Sequence, residues 1–515
     1  MENRGNATYK LKTIPLNHHF FKQYLLLSFK MTLLTKSKYV TGLQCPRCLW
    51  VMMHEKERIP EPDVVTQHRF DQGHLAGNLA KSCFPKGIDI SEDDFMKNIE
   101  TTKELLKKRK PLFEAGIMAD NLYSRADILR PVKDAWDIIE VKSSTKVKDV
   151  NIQDVSFQKY VYEKAGLKIN KCFLMHINNQ YVRKGKIDPN QLFIIEDITE
   201  DVNSASIGIQ ERIKALFDAI SKKECPEISI GPFCRDPYEC ALHEECWHKM
   251  PKNSVFDLYG SMKKGFELFD NGITNIKDIP DDFRLTTNQQ IQRECEKTKK
   301  PFIDKDKIKE FLNSLEYPLY YLDFETYSTA IPLYDDLKPY QQLPFQFSLH
   351  IYEKNGKITH KEFLAKGKGD PRKEFLKALK AGLGDKGDII VYHQCFEIGR
   401  LKELAEALPE YKEWVASVID RIVDLLMPFR KFYYYNPKQQ GSASLKKVLP
   451  AITGKDYSHL EISEGMTASL QYLEITHGEG TKEEIEKIRK QLLEYCCLDT
   501  EAMVWIIDEL KKLCN

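Results

Sequence analysis

The sequence predicts a multidomain α/β protein, on three observations. Its 515 residues, at roughly 150 per domain, give about three domains. Helix-like and strand-like apolar patterns both occur along it. The patterning also shifts near Pro251 and again near Tyr317, which divides the chain into blocks 34–248, 249–315 and 316–515 behind a loose extension, 1–33. A hydrophobic share of 42% beside 30% charged residues, with 23 Pro and 25 Gly, describes a globular chain and excludes collagen-like and mostly disordered classes.

The extension carries no periodicity, and helix-like patterning begins after Met31, at Thr32-Leu33-Leu34-Thr35-Lys36. The best apolar stretch, 20–29, is broken by Lys22 and Gln23. It falls short of the roughly 20 residues a membrane helix needs, so no membrane span is expected. Thirteen cysteines, an odd number, with no secretory signal before them read as reduced thiols in a cytoplasmic protein. Lys and Arg number 77 against 76 Asp and Glu, so nucleic-acid binding would rest on local basic patches rather than on a global field.

In the first block, Ser124-Arg125-Ala126-Asp127-Ile128 and Asp137-Ile138-Ile139-Glu140-Val141-Lys142 flank residues 131–136, which predicts an antiparallel hairpin. With its loop centred on Lys133-Asp134, Asp127 faces Glu140 with Cβ atoms about 5 Å apart. Such carboxylates repel unless a cation lies between them. Lys142 projects from the same face, where it can polarise water or stabilise developing charge. The block opens with Cys45-Pro46-Arg47-Cys48 and closes with evenly spaced Cys234, Cys240 and Cys246. The polar neighbours of the last three argue against buried free thiols, and four thiolates suit either zinc or an iron-sulfur cluster.

The middle block reads helical. Leu258, Phe266, Leu268 and Phe269, a turn at Asn271-Gly272 and the run 273–279 suggest two short helices around a tight hairpin. Lys263 and Lys264 beside the turn match a DNA-backbone-binding hairpin only in part, and a spacer is the preferred reading.

The last block opens with an apolar strand, 319–325. Strand 345–352, an Asn355-Gly356 turn of the two-residue hairpin type and strand 357–364 follow. Next come a helix over 371–383, a strand over 388–393 and a helix containing Phe396, Leu401, Leu404 and Leu408. The order βββαβα is that of a ribonuclease-H-like mixed sheet with flanking helices.

Acids stand in this block where a core would reject them. In Leu322-Asp323-Phe324-Glu325-Thr326 the two carboxylates are two apart on a strand and share a face. The preceding Leu319-Tyr320-Tyr321 is too apolar for a solvated edge, which favours a metal site. In the C-terminal helix, Ile488, Leu492, Tyr495, Asp499, Ala502, Ile506 and Leu510 trace one face, so Asp499 lies inside an apolar stripe and asks for a counter-charge. Glu397 opens the helix after Val391-Tyr392-His393, where its ordinary role would be to favour the helix dipole. Lys446 and Lys447, near Tyr433-Tyr434-Tyr435, could add phosphate contacts and base stacking, although such residues more often form a solvated helix face beside a packed loop.

The strand LDFET, the later FE element and Tyr495-Cys496-Cys497-Leu498-Asp499 resemble the three motifs of the DEDD exonuclease superfamily, in its tyrosine-containing subclass. The resemblance implies two divalent ions, Mg²⁺ or Mn²⁺, held by Asp323, Glu325, Glu397 and Asp499, with Tyr495 orienting the attacking water. The second motif usually carries aspartate, so Glu397 departs from it by one methylene and Asp424 is the substitute. The wider text, with PYQQLPFQFSLH, YHQCFEIGRL and GSASLKKVLP, looks like an uncharacterised bacterial family with such a domain. In the first block, Asp127 followed by Glu140-x-Lys142 resembles the PD-(D/E)XK restriction-endonuclease-like fold. Gln158 and Tyr162 match the QxxxY helix motif of its RecB-like branch, where these residues help organise the site. That branch often carries a metal-binding histidine at the position of Gly77, with His74 off-register. One thiol before this core and three after it resemble the iron-sulfur staple of AddB and of CRISPR-associated RecB-like nucleases. By that alignment Cys45, Cys234, Cys240 and Cys246 hold a 4Fe-4S cluster, with zinc as the competitor and Cys48 to spare. The resemblances together imply a metal-dependent nuclease with two nuclease-like sites acting on nucleic acid, with DNA favoured over RNA. The alternatives are a single exonuclease site with the first half as a binding module, or a non-catalytic nucleic-acid-binding scaffold.

Overall fold

The computed structural model describes residues 33–90 and 94–515. Apart from residue 33, the extension expected over 1–33 lies outside them. The described residues form a mixed α/β structure with two mixed sheets, each covered by helices, and a separate two-stranded sheet.

The first sheet has seven strands: β1 (Leu34–Thr35), β2 (Ile88–Asp89), β3 (Leu112–Ala119), β4 (Leu122–Val132), β5 (Ala135–Lys142), β6 (Ile169–Ile177) and β7 (Phe193–Asp197). They lie in the order β2-β3-β4-β5-β6-β7, with β1 parallel to β4. Strands β3, β4 and β5 form an antiparallel meander. The connection from β5 to the parallel β6 runs through a helix, as parallel pairing requires. Helix α1 (Lys36–Gln44), α2 (Pro46–His54), α3 (Val64–Lys81) and α4 (Asp149–Lys164) surround this sheet. The crossover helix α4 buries Val155, Phe157, Val161 and Tyr162 in the core beside Leu112, Trp136 and Leu174. On β5 six successive residues are buried, the mark of a strand covered on both faces.

The middle segment has its own small core of Val255, Phe256, Leu258, Leu268, Ile276, Ile279 and Leu285. Helix α5 (Met262–Asp270) ends at the Asn271-Gly272 turn, and Gly272 has φ +78°. The second helix expected over 273–279 is only a 3-10 turn, Ile276–Asp278, because Ser254 bridges to Asn275 and draws this stretch into an extended pair. Helix α6 (Thr287–Thr298) and the short β8 (Phe302–Ile303) follow.

The second sheet comprises β9 (Leu319–Tyr327), β10 (Leu343–Tyr352), β11 (Ile358–Leu364), β12 (Ile389–Val391) and β13 (Ile422–Asp424), in the order β11-β10-β9-β12-β13. The first three pair antiparallel, and β12 runs parallel to both β9 and β13. One residue more than expected closes the β10–β11 hairpin. Glu353 bonds Lys357 across a three-residue loop, with Gly356 in the left-handed region that such loops reserve for glycine. Helix α7 (Arg372–Gly382) and α8 (Gln394–Ala407) pack on one face of the sheet through Phe375, Leu376, Leu401 and Leu404. Helix α9 (Gly465–His477) and the 33-residue α10 (Lys482–Cys514) cover the other through Tyr472, Leu492, Ala502 and Ile506. The remaining strand, β14 (Tyr434–Tyr435), pairs with β8 and ties the middle segment to this domain.

A loop between β9 and β10 docks on the first half. The Arg183 guanidinium donates to Pro332 O at 2.9 Å and also to Leu333 O, and Arg183 N donates to Leu337 O at 3.0 Å. Ile331 packs against the cluster of Ala76, Ala80 and Phe113. Among the described residues no helix is long and apolar enough to cross a membrane.

Candidate functional site

Strand β9 carries Asp323 and Glu325 in register with Ser348 and Gln346 of β10, at the centre of the second sheet. Helix α10 brings Asp499 and Tyr495, and the first turn of α8 brings Glu397. Glu325, Glu397, Tyr495 and Asp499 are all buried. Ligand atoms of Asp323, Glu325 and Cys496 lie within 4.8 Å of one another. Burial pushes the Asp323 carboxyl well above its ordinary range, and the negative charges of Asp499, Glu325 and Glu397 push it further. Glu325 rises for the same reasons, burial first and Asp499 second. Burial lifts Glu397 to about 8, and its Oε2 has no hydrogen-bond partner. Asp499 rises to about 6 through burial, moderated by the Tyr457 hydroxyl, which donates to its Oδ1 at 2.6 Å.

Four acids from three distant segments thus crowd together, and Lys446 is a nearby cation that moderates Glu325 and Asp499. Its ammonium lies 5.3 Å from the centre of the Tyr495 ring and pairs with Glu464 at 2.9 Å. Burying unpaired carboxylates costs several kcal/mol each, which a multivalent cation offsets. The donor set therefore fits a divalent ion. Asp424 behaves differently: its Oδ1 accepts His393 N at 2.9 Å and Leu426 N at 3.0 Å, bracing the left-handed His393 at φ +83°. Its carboxylate serves the backbone, whereas Glu397 Oε2 has no hydrogen-bond partner among the described residues. Of the two roles open to the aromatic run, packing holds over base stacking, since Tyr434 and Tyr435 are buried between β8 and the core. Lys447 is held by Gln440 at 2.8 Å, while Lys446 alone of the pair approaches the acids.

In the first sheet, Ile128 pairs with Ile139 and Val132 with Ala135, the register in which residue 127 stands opposite residue 140. Asp127 Oδ2 accepts Val141 N at 2.7 Å. Lys142 Nζ lies 2.6 Å from Glu140 Oε1 and 3.0 Å from Asp154 Oδ2. Gln158 donates to Glu140 Oε2 at 2.7 Å, and the Tyr162 hydroxyl bridges β3 and β4 by donating to Ala115 O and accepting Ala126 N. A residue without any motif completes the group: Lys36, at the start of α1, pairs with Glu140 at 2.8 Å. The cation that these acids require is thus present as two ammonium groups. Burial opposes ionisation of Glu140, but Lys142 and Lys36 override it and hold the carboxyl below its usual range. Asp127 rises to about 7, through burial and then through Glu140. These groups line a cavity of about 620 Å³ with Arg69, His74 and Gly77 of α3, so His74 does face the site. Open space surrounds the Cβ position of Gly77.

Cys45, Cys234, Cys240 and Cys246 line one small cavity, and all are free thiols. Cys48 is not spare in position: it is buried with Cys45 in one cluster against which Cys225, Cys240 and Cys246 pack. The four lining thiols converge from both ends of the domain, as a cluster or a zinc ion requires. A further group, His350, His360 and Cys497, has ligand atoms within 4.8 Å of one another. Its histidines are directly paired across β10 and β11, which nothing in the local sequence marks.

Residues 320–444 match the model of a family described as a domain of unknown function, DUF2779. That stretch contains Asp323, Glu325, Glu397 and Asp424 but ends before Tyr495 and Asp499. The chain is 24% identical over 409 residues to the uncharacterized protein MG366 of Mycoplasma genitalium, covering 68% of this chain and 60% of that protein. Its homolog in Mycoplasma pneumoniae is 28% identical over 406 residues, covering 69% and 59%. The uncharacterized protein UU173 of Ureaplasma parvum is 30% identical over 220 residues, covering 38% and 31%. The matches thus span 60% or less of these relatives' own length. Among solved structures, the family B DNA polymerase of Pyrobaculum calidifontis matches 38% of this chain and 24% of its own, at 17% identity and a TM-score of 0.26.

Proposed function

We propose that this protein is a metal-dependent nuclease, with its principal hydrolytic centre at Asp323, Glu325, Glu397 and Asp499. One observation carries the reading: four carboxylates from β9, α8 and α10 share a buried pocket that disfavours their charge. Divalent cations bound there would lower the pKa of an attacking water and neutralise the leaving oxygen of a phosphodiester. The chain's own residues supply the rest. The four acids give up their protons and fix the geometry, Tyr495 orients the water, and Lys446 offers charge to a backbone phosphate. The β-strand order and helix placement support a ribonuclease-H-like reading of this domain, and the meander, crossover helix and Glu140-x-Lys142 support a PD-(D/E)XK reading of the first. DNA is the substrate we favour, because RecB-like modules process DNA ends; this is an argument by analogy of fold. The four thiols around one cavity fit a 4Fe-4S cluster, with zinc as competitor.

A second reading concerns the first domain alone. Lys36 and Lys142 already neutralise Glu140, which favours a DNA-holding module over a second cutting site. End-labelled DNA and RNA, single- and double-stranded, incubated with Mg²⁺ or Mn²⁺ decide between them. Wild type should release nucleotides stepwise, Asp323→Ala should not, and any cleavage left in Asp323→Ala should vanish in Asp323→Ala/Glu140→Gln. No cleavage by wild type on any substrate would overturn the nuclease reading.

A further inference from the structure

The cavity at Asp127 and Glu140 does not stand alone. A second cavity, of about 450 Å³, adjoins it and reaches Glu325. Arg69 of α3 and Ser143, just beyond β5, line both. The two adjoining cavities, taken as one passage, are thus lined by Asp127 and Glu140 of the first domain and by Glu325 alone of the second domain's four acids. Tyr340 lines the second cavity and a third, of about 1,090 Å³, which carries Lys146, Lys148 and Lys338. The Tyr340 hydroxyl donates to Ser143 O, and Gln72 accepts Ala330 N at 2.9 Å, so the walls come from both halves and are fixed to each other.

The first cavity holds Asp127 of β4, Glu140 and Lys142 of β5, and Lys36 of α1. Arg69 also lines it, exposed, with no hydrogen bond or ion pair to any of the described residues. In the second cavity Phe396 and Met466 offer an apolar wall, and Met466 is 53% exposed. Glu325 lines the same cavity. An unpaired guanidinium between two acid groups suits a bidentate backbone phosphate, and an apolar wall beside it suits the face of a base.

We propose that a single nucleic-acid strand runs through this passage and touches both acidic centres at once, with Arg69 gripping a phosphate between them. This rests on the nuclease reading of the Asp323 centre. The strand is single because the cavity at Glu325 is too small for a duplex, whose major groove alone is about 12 Å wide. One strand would thereby be presented to the second domain while the first still holds it.

The test is Arg69→Ala in the full-length chain. Arg69 is exposed and unpaired, so thermal unfolding should match wild type and Arg69→Lys should restore part of any loss. Binding of a short fluorescein-labelled single-stranded DNA is followed by anisotropy in Ca²⁺, and cleavage of the same oligonucleotide is followed in Mn²⁺ in Glu140→Gln and Asp323→Ala backgrounds. Losing a charge-assisted phosphate contact should weaken binding about tenfold. It should also raise KM rather than lower kcat in the Glu140→Gln background. If the Asp323→Ala background cuts, its KM should rise too. Wild type that cleaves normally while Arg69→Ala binds and cleaves as well as it does would overturn the passage and spare the nuclease reading. Wild type that never cleaves, yet loses binding with Arg69→Ala, would spare the passage and overturn the nuclease reading. Wild type that neither cleaves nor binds overturns both.

Discussion

The Tyr457 hydroxyl sits 2.6 Å from Asp499 Oδ1, joining a loop residue to the acid of α10 across 42 positions of sequence. This bond stabilises the ionised carboxylate and holds its pKa down against burial. Tyr457→Phe removes the donor, so the Asp499 pKa should rise. The acid limb of the pH–rate profile should then move to higher pH, with kcat reduced about tenfold near neutrality, a loss of about 1.4 kcal/mol in transition-state stabilisation. An unchanged profile would show that Asp499 does not titrate in the rate-limiting step.

Glu397 and Asp424 should separate cleanly. Glu397→Gln keeps shape and hydrogen bonding but loses charge, so metal-dependent cleavage should fall at least a hundredfold with little change in stability. Asp424→Ala leaves His393 N and Leu426 N unpaired, which should cost about 1–3 kcal/mol of stability. Cleavage and chemical denaturation measured on both variants check this.

Stability should fall with pH in chelator. Glu397 has a folded pKa of about 8, above its ordinary 4.5. The folded state therefore holds more protons than the unfolded state between those values, and stability declines as pH rises through that window. Thermal unfolding in EDTA across this range should show a falling Tm, with a smaller fall in Glu397→Gln. Added Mn²⁺ should reverse the trend, because it replaces the proton.

Lys36→Met tests the first domain's compensation. Removing one of two ammonium groups from Glu140 should make that site a better divalent-ion site, not a worse one. In an Asp323→Ala background, calorimetry should show tighter Mn²⁺ binding than with Lys36 present. Weaker or absent binding would mean that Lys36 and Lys142 are permanent partners of Glu140.

The four thiols should hold iron and sulfide after anaerobic purification, and Cys240→Ser should destabilise the first domain more than the second. A colourless protein with stoichiometric zinc would replace the cluster and leave the staple in place.

The elements around the acids were legible because their residues break a pattern. A carboxylate inside an apolar strand or helical stripe costs too much to be accidental, and that logic singles out Asp323, Glu325 and Asp499. The β4–β5 register was legible from turn position alone, since the pairing of Val132 with Ala135 fixes every pair behind it. Tyr457 and Lys36 were not legible. Each reaches its acid through tertiary packing, 42 and 104 positions away, and neither stands in a local periodicity. The aromatic run 433–435 left its role open because three tyrosines look the same whether they stack on a base or fill a core. Only the pairing of β14 with β8 tells which.

The Arg183 clamp has a mechanical consequence. The loop it grips begins directly after Tyr327, the last residue of β9, and Glu325 lies two residues inside that strand. Any displacement of the first half along the seam pulls on the end of the strand that carries the acids. The docking loop therefore acts as a short tether, through which load on the first half would be transmitted to Glu325 without passing through solvent or a hinge.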